Sequence, residues 1–180
     1  FMWYPAEVDV SIRTGWFYHP LQSLTVKSIN HLMKIYYGSV GSNCLLILNI
    51  PPNKKGRFAK KDIKRLNKIG KMLKKEDDCV IESEINAFDD YLRYEITFAK
   101  QSVDRLRLSE DTTKSQRVEI FEIYAKDKCV FKGTVIGFSK IAIFDEPVIT
   151  DSLTLIIKES RNRPYINKAE VCKTGAYRIK

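Results

Sequence analysis

Polar and apolar residues alternate strictly from residue 7 to residue 13. The apolar positions are Val8, Val10 and Ile12. The polar positions are Glu7, Asp9, Ser11 and Arg13. A period of two predicts a β-strand whose apolar side chains face a core and whose polar side chains share the other face. Gly15 and Trp16 follow in a predicted turn, so this short stretch combines many chemically capable side chains.

Three more elements follow the first strand. Apolar residues at three- and four-residue spacing predict a helix over residues 24–37, with Ser23 as its N-cap. Residues 44–50 form a continuous apolar run, which is typical of a parallel strand buried on both faces. Residues 61–75 return to helical spacing and predict a second helix. The order strand, helix, strand, helix indicates an α/β arrangement with a parallel sheet.

The pattern changes after residue 78. Short β-rich runs separated by polar turns replace the helical periods. The predicted strands cover residues 93–98, 105–108, 118–125, 129–132, 140–144, 153–158 and 169–173. This number and spacing of strands predict a β-sandwich that resembles a jelly roll. The predicted fold class is therefore α/β followed by all-β, with a boundary between residues 76 and 79.

The formal net charge of the chain is +9, and much of the basic excess lies between residues 54 and 75. A basic helix can follow the phosphates of a nucleic acid, which makes nucleic-acid binding one hypothesis. Phe58 is the single aromatic residue in this stretch, however, and the apolar residues form one helical stripe. The stripe consists of Ile63, Leu66, Ile69 and Leu73. The solvated outer face of a packed helix is the favoured interpretation, and we expect no nucleic-acid partner.

The cysteines and histidines predict no metal site. The four cysteines stand far apart in the sequence, and the chain has two histidines. The cysteines are Cys44, Cys79, Cys129 and Cys172. This spacing matches no zinc motif and no disulfide framework, so we expect buried thiols and no cofactor, with one or two disulfides left open. No run approaches the ~20 apolar residues of a membrane span.

The polar face of the first predicted strand suits carbohydrate chemistry. Carboxylates such as Glu7 and Asp9 can act as acid or base on a glycosidic oxygen. Arg13 can hold sugar hydroxyls, and Trp16 can cover the apolar face of a sugar ring. A strand with a hydrated polar face and no ligand is the alternative on composition alone.

Four blocks of sequence resemble the alpha-L-fucosidases of glycoside hydrolase family 29. The first block is Trp3-x-Pro5-x-Glu7-x-Asp9-x-Ser11-Ile12-Arg13-x-Gly15-Trp16-Phe17-Tyr18-His19, followed by Lys27-Ser28. The later blocks are Ile35-Tyr36-Tyr37-x-Ser39-Val40-Gly41-x-Asn43, Leu45-Leu46-x-Leu48-Asn49-x-Pro51-Pro52 and Gly56. Because the blocks occur in order and at natural spacing, the resemblance is more specific than any one block.

The resemblance implies a fold and an activity. Residues 1–76 would be the last two β/α units of a (β/α)8-type barrel that forms the catalytic domain. Residues 79–180 would be the accessory β-sandwich of these enzymes. The implied activity is retaining hydrolysis of terminal alpha-L-fucosyl linkages in glycans, without metal or cofactor.

The resemblance also implies roles for individual residues. The family's nucleophile is an Asp on an earlier barrel strand that this chain lacks, so Glu7 is expected to be the general acid/base. Asp9, Arg13, Trp16 and His19 are the expected substrate-binding residues, with Asp9 acting through an ion pair with Arg13. A core position for Trp16 and a structural role for His19 are the alternatives. Asn43 and Asn49 are expected to fix loops.

Partners and location follow from the same resemblance. The chain opens at Phe1 inside the first motif, without an initiating Met, which predicts a fragment that is inactive alone. Its expected partners are a fucosylated glycan and either the missing N-terminal barrel segment or a second copy, in a bacterial periplasmic or extracellular location. The alternative function is a non-catalytic carbohydrate-binding β-sandwich. Its candidate aromatic platform consists of Tyr91, Tyr94, Phe131, Phe138 and Tyr165.

Overall fold

The computed structural model describes residue 4 and residues 6–88 and 90–175. The first part of the described chain contains β1 (Ala6–Ser11), α1 (Ile29–Ser39), β2 (Cys44–Asn49) and α2 (Lys60–Asp78). The second part contains β3 (Ser83–Ala87), β4 (Arg93–Glu110), β5 (Val118–Ala125), β6 (Lys128–Thr134), β7 (Lys140–Ser160) and β8 (Ile166–Lys173). Short 3₁₀ helices occur at Pro20–Leu24 and Thr112–Lys114. The fold is therefore mostly β-sheet with few helices.

The first two strands form a parallel pair. The register runs from Ala6 opposite Cys44 to Ser11 opposite Asn49. Parallel pairing follows from the order strand, helix, strand, because α1 provides the crossover between β1 and β2. Apolar side chains on one face of the pair pack against both helices, and Ile12 is fully buried there.

The other face of the parallel pair is open. It carries Glu7 and Asp9 from β1 and, opposite them, Leu45 and Ile47 from β2. Leu45 and Ile47 keep 44% and 45% of their surface exposed. The expectation that the second strand is buried on both faces is therefore wrong for the described chain, because the helices cover one face alone.

Helix α1 begins later than the sequence predicts. The expected start at residue 24 with Ser23 as N-cap is wrong, since Pro20–Leu24 forms a 3₁₀ helix instead. Ser28 is the N-cap of α1, and its Oγ accepts a hydrogen bond from the backbone N–H of His31 at 3.1 Å. Ser23 and Ser28 both precede the same apolar period. Ser28 caps the first turn of α1 because residues 25–28 run alongside the end of β1.

Helix α2 presents a basic outer face and a mixed inner face. The lysines between residues 60 and 75 are exposed, as the solvated-face interpretation predicts. The buried positions are Asp62, Ile69 and Glu76, which recur every seven residues and lie on the same side of the helix. Two carboxylates thus lie beside the apolar stripe, and each of them pairs with a buried arginine.

The second sheet is antiparallel, with strand order β3-β4-β7-β5-β6 and β8 paired to β4. The expected strands 93–98 and 105–108 are one long strand, β4, and the expected strands 140–144 and 153–158 are likewise one strand, β7. Register shifts interrupt β4 between Thr97 and Gln101 and between Val103 and Arg105. Because these bulges carry polar residues, the sequence resembles a turn there. The prediction also missed β3.

A buried ionic cluster joins the two parts of the chain. Arg105 on β4 binds Glu76 of α2 through Nη1 at 2.7 Å and Asp104 through Nε at 2.8 Å. Tyr37 of α1 donates its hydroxyl to Glu76 Oε1 at 2.6 Å and accepts a hydrogen bond from Arg105 Nη1 at 3.0 Å. Burial and the bond to Glu76 raise the pKa of the Tyr37 phenol, so it stays neutral.

Asn43 makes a second junction. Its backbone N–H donates to Ser139 O at 2.7 Å, and its side chain bonds Gln116 and the backbone N–H of Phe138, both at 2.7 Å. This confirms the expected loop-fixing role of Asn43. The boundary between residues 76 and 79 stays a prediction, and the contacts across it include ion pairs, neutral hydrogen bonds and apolar packing of Ile141.

Candidate functional site

The carboxyl end of β1 is held by a buried ion pair. Arg13 lies two residues after the end of β1, and its Nε donates to both carboxylate oxygens of Asp62 at 3.0 and 2.9 Å. Its Nη2 lies 2.9 Å from Asp62 Oδ2, and both side chains are fully buried. The guanidinium also lies over the ring of Tyr18, 5.1 Å from the centroid. The expected pair between Arg13 and Asp9 is therefore wrong, because α2 supplies the carboxylate.

Lys27 and Ser28 fix the segment beside this ion pair. The ammonium group of Lys27 donates to the carbonyl oxygens of Ser11 at 2.7 Å and Arg13 at 3.1 Å. Its backbone N–H donates to Ile12 O at 2.9 Å, and Ser28 then starts α1. Lys27 and Ser28 therefore orient the end of β1. The motif contains both residues, but no role was predicted for them.

Asn49 connects the ends of both strands to the loop that follows β1. Its side-chain amide donates to Trp16 O at 2.9 Å and to Ser11 Oγ at 3.3 Å. The loop-fixing role expected for Asn49 is confirmed. Trp16 is 49% exposed, so the alternative of a core aromatic is wrong. Its neighbour Phe17 is also exposed, and the loop presents aromatic surface at the carboxyl end of the parallel pair.

The other candidates occupy different positions. Glu7 and Asp9 are exposed on the open face of β1, where Glu7 is the second residue of the strand. Ser11 lies four positions after Glu7, which corresponds to about 13 Å along the strand. His19 caps the 3₁₀ helix, because its Nδ1 accepts the backbone N–H of Leu21 at 3.3 Å. Trp3 and Pro5 of the motif lie outside the described residues.

Asp62 is the functional residue that sequence reasoning missed. It is one of few acidic residues in a lysine-rich helix. Its position relative to Leu66 and Ile69 was nevertheless a signal, because a carboxylate four and seven residues before apolar stripe positions faces the core. A buried carboxylate requires a cationic partner, and Arg13 of the motif is a suitable one.

The candidate platform aromatics of the second part are dispersed. Tyr94 is buried in the core, and Phe131 stacks on Phe121 with centroids 5.8 Å apart. Tyr91 and Tyr165 are covered by Arg163, whose guanidinium lies 3.5 and 5.5 Å from their centroids. The carbohydrate-binding alternative stays a prediction without an observed aromatic platform among the described residues.

Neither metal ligation nor membrane crossing is indicated in the described part of the chain. Within residues 6–88 and 90–175, the acidic, histidine and cysteine side chains form no group of three that could hold a metal ion. The described helices also lack an apolar stretch long enough to cross a membrane. Exposed carboxylates on the open face of β1 and exposed aromatic side chains in the loop after it are the chemical groups described at this site.

Comparisons with known proteins agree with the motifs. Residues 3–78 match the alpha-L-fucosidase family. Alpha-L-fucosidase 1 of Arabidopsis thaliana is 51% identical over 70 residues, which is 39% of this chain and 13% of that protein. The chain therefore spans a small part of the length of its curated relatives.

Solved structures extend the similarity to the second part. A candidate alpha-L-fucosidase of Bacteroides ovatus is 34% identical with a TM-score of 0.82, and the match covers 99% of this chain and 32% of that chain. A candidate alpha-L-fucosidase of Bacteroides thetaiotaomicron is 27% identical with a TM-score of 0.86, over 96% of this chain and 42% of that chain. Both the parallel pair and the antiparallel sheet thus have counterparts in one relative.

Proposed function

We propose that this chain, which is similar in sequence and fold to the alpha-L-fucosidases of glycoside hydrolase family 29, supplies one side of the active site of such an enzyme. The substrate is a glycan with a terminal alpha-L-fucosyl residue, and hydrolysis proceeds with retention. The observation that carries the proposal is the hydrogen-bonded carboxyl end of β1, where Lys27 binds the Ser11 carbonyl and the aromatic loop is contacted by Asn49 at Trp16 and by Arg13 at Tyr18.

The open face of the parallel pair supports a barrel arrangement. In a (β/α)8 barrel, helices cover the outer face of each strand and side chains fill the interior in layers. Here α1 and α2 cover one face, while Leu45 and Ile47 stay exposed on the other. We assign the open face to the barrel interior and the carboxyl ends of β1 and β2 to the catalytic end. The antiparallel part is the accessory β-sandwich of this proposal.

A retaining glycosidase needs two carboxyl groups about 5 Å apart, one as nucleophile and one as acid/base. We assign the acid/base role to Glu7 and the nucleophile to an Asp on a strand outside this chain. Glu7 lies early in β1, whereas catalytic groups of barrels gather at the carboxyl ends of strands, so its assignment is based on the sequence resemblance and not on this position. The proposed enzyme acts in the periplasm or outside the cell, where fucosylated glycans are accessible.

The first experiment measures hydrolysis of a chromogenic alpha-L-fucoside. The samples are this chain, the upstream segment of the parent protein, their mixture and the intact parent protein. We expect activity in the intact protein and the mixture and none in either part. An inactive intact protein would overturn the fucosidase proposal, and activity of this chain alone would overturn the assignment of the nucleophile.

Two substitutions in the intact protein test Glu7. Glu7→Gln should reduce hydrolysis of a natural fucoside by about 10²- to 10⁴-fold, which is the usual contribution of a general acid. An aryl fucoside with a strongly acidic leaving group should form the fucosyl-enzyme at nearly the normal rate, because its departure needs no proton. Asp9→Asn is the matched control on the same face. Equal losses on both substrates would assign Glu7 a structural role.

The open face is tested by association of the two parts. Ile47→Asp places a charge in the proposed barrel interior and should abolish activity of the mixture. Ile149→Asp is the control, because Ile149 is 73% exposed on β7, which belongs to the antiparallel sheet and not to the parallel pair. Equal activity of the two mixtures would contradict the barrel arrangement.

A further inference from the structure

Two cysteines meet where α2 ends and β8 passes beside it. Cys79 is the C-cap residue of α2, and Cys172 lies near the end of β8. Val80 forms an antiparallel bridge with Cys172. Hydrogen bonds of 2.9 Å flank this bridge, from Lys173 N to Cys79 O and from Ile81 N to Val171 O. The backbones of the two cysteines are therefore held adjacent.

Both thiol groups are buried at this junction. The Cys79 thiol donates to Glu76 O at 3.0 Å. The Cys172 thiol in turn bonds the Cys79 sulfur, which lowers the pKa of Cys79 and raises that of Cys172. A thiol that receives such a hydrogen bond ionises more readily and is the better nucleophile toward disulfides.

Cys79 also borders a surface cavity. The cavity has a volume of about 250 Å³, and Lys75, Asp78 and Lys173 contribute to its lining. Because Cys79 lines this cavity, we expect a small disulfide reagent to approach its thiol from there. The two lysines favour an anionic reagent such as oxidised glutathione.

We propose that Cys79 and Cys172 form a dithiol site that closes to a disulfide by exchange with a low-molecular-weight disulfide. The Cys79 thiolate attacks one sulfur of oxidised glutathione, forms a mixed disulfide and releases one glutathione thiolate. The Cys172 sulfur then attacks Cys79, displaces the second glutathione and gives up its proton to it. The two protein thiols are oxidised, and one oxidised glutathione becomes two reduced molecules.

The closed site would join the two parts of the chain covalently. The disulfide would link the end of α2 to the last strand of the antiparallel sheet, across more than 90 residues of sequence. Closing a loop of this size restricts the unfolded chain strongly. We expect the oxidised chain to melt at a temperature about 5–15 °C above that of the reduced chain.

The test equilibrates the folded chain in glutathione buffers of increasing oxidised fraction. Thiols are then titrated in denaturant, and peptides are mapped by mass spectrometry. We expect the thiol count to fall by two, with one cross-linked peptide pair that contains Cys79 and Cys172. A chain carrying both Cys44→Ser and Cys129→Ser is the matched control and should behave in the same way.

Single variants separate this site from general thiol oxidation. Cys172→Ser should retain a glutathione adduct on Cys79, because the resolving thiol is absent. Survival of all thiols in oxidising buffer would overturn the proposal, as would a disulfide that uses Cys44 or Cys129. The decisive peptide map is made on the wild-type chain. A variant that fails to fold therefore does not affect this outcome.

Discussion

Replacement of Asp62 by alanine leaves Arg13 charged and buried without its partner. Both side chains are fully buried, and the carboxylate lies within 3.0 Å of Nε and Nη2. Removing one member of a buried ion pair typically costs 3–5 kcal/mol, because the remaining charge is desolvated without compensation. A domain of ordinary stability has about 5–15 kcal/mol in total, so Asp62→Ala should remove a large share.

Urea denaturation of the wild-type and variant chains measures this loss. We expect the midpoint to fall with little change in the slope, and thermal melting to fall by about 6–20 °C. Asp77→Ala is the matched control on the same helix, since Asp77 lies 3.2 Å from Arg107 but is mostly exposed. Exposed pairs contribute about 0–1 kcal/mol, so the control should change stability little.

A double variant distinguishes the destabilisation caused by an unpaired buried charge from the destabilisation caused by lost packing. Arg13→Met combined with Asp62→Leu removes both charges and keeps apolar volume, so it should be more stable than the Asp62→Ala variant. A loss below about 1 kcal/mol for Asp62→Ala would refute the reasoning. A double variant as unstable as the sum of the single changes would refute it as well, since the coupling energy would then be absent.

Three further predictions concern the junction, the helix surface and the second sheet. Gly137→Ala should destabilise the chain by about 2–4 kcal/mol, measured by urea denaturation, because Gly137 has φ +57° and an added Cβ would lie 2.3 Å from the Asn43 side chain. Gly70→Ala should instead stabilise it by ~1 kcal/mol in the same assay, since Gly70 is within α2 and its Cβ would meet open space. Hydrogen bonds from Tyr124 and Lys132 lower the pKa of Glu122, so stability from this group is present above pH ~4.5 and is lost as pH falls through the lower folded pKa. Tyr124→Phe should raise the Glu122 pKa in an NMR titration, and an unchanged value would contradict this assignment.

Local periodicity predicted the elements of the first part because each one is a short segment with a single pattern. The alternation around Val10 and the apolar run around Leu46 identify strands, and their parallel pairing follows from the helix between them. The start of α1 could not be predicted, since both Ser23 and Ser28 are suitable caps. The choice depends on Lys27, which reaches the end of β1 through three-dimensional contacts.

The second part was harder to interpret because bulges conceal long strands. β4 and β7 each bend through polar segments that resemble turns, as at Gln101 and around Pro147. The ion pairs were equally hidden. Arg13 was identified from the motif, but its partner Asp62 is 49 residues away, and sequence spacing alone favoured the nearer Asp9.

The cluster around Arg105 has a consequence for how the chain folds. Arg105 lies at a bulge of β4, yet its charge is neutralised partly by Glu76 from α2 and contacted by Tyr37 from α1. The buried interior of the antiparallel sheet therefore forms fully only after α1 and α2 have docked against it. The two parts should unfold in a single calorimetric transition, and a gene cut between residues 78 and 79 should yield a second half that accumulates as insoluble material.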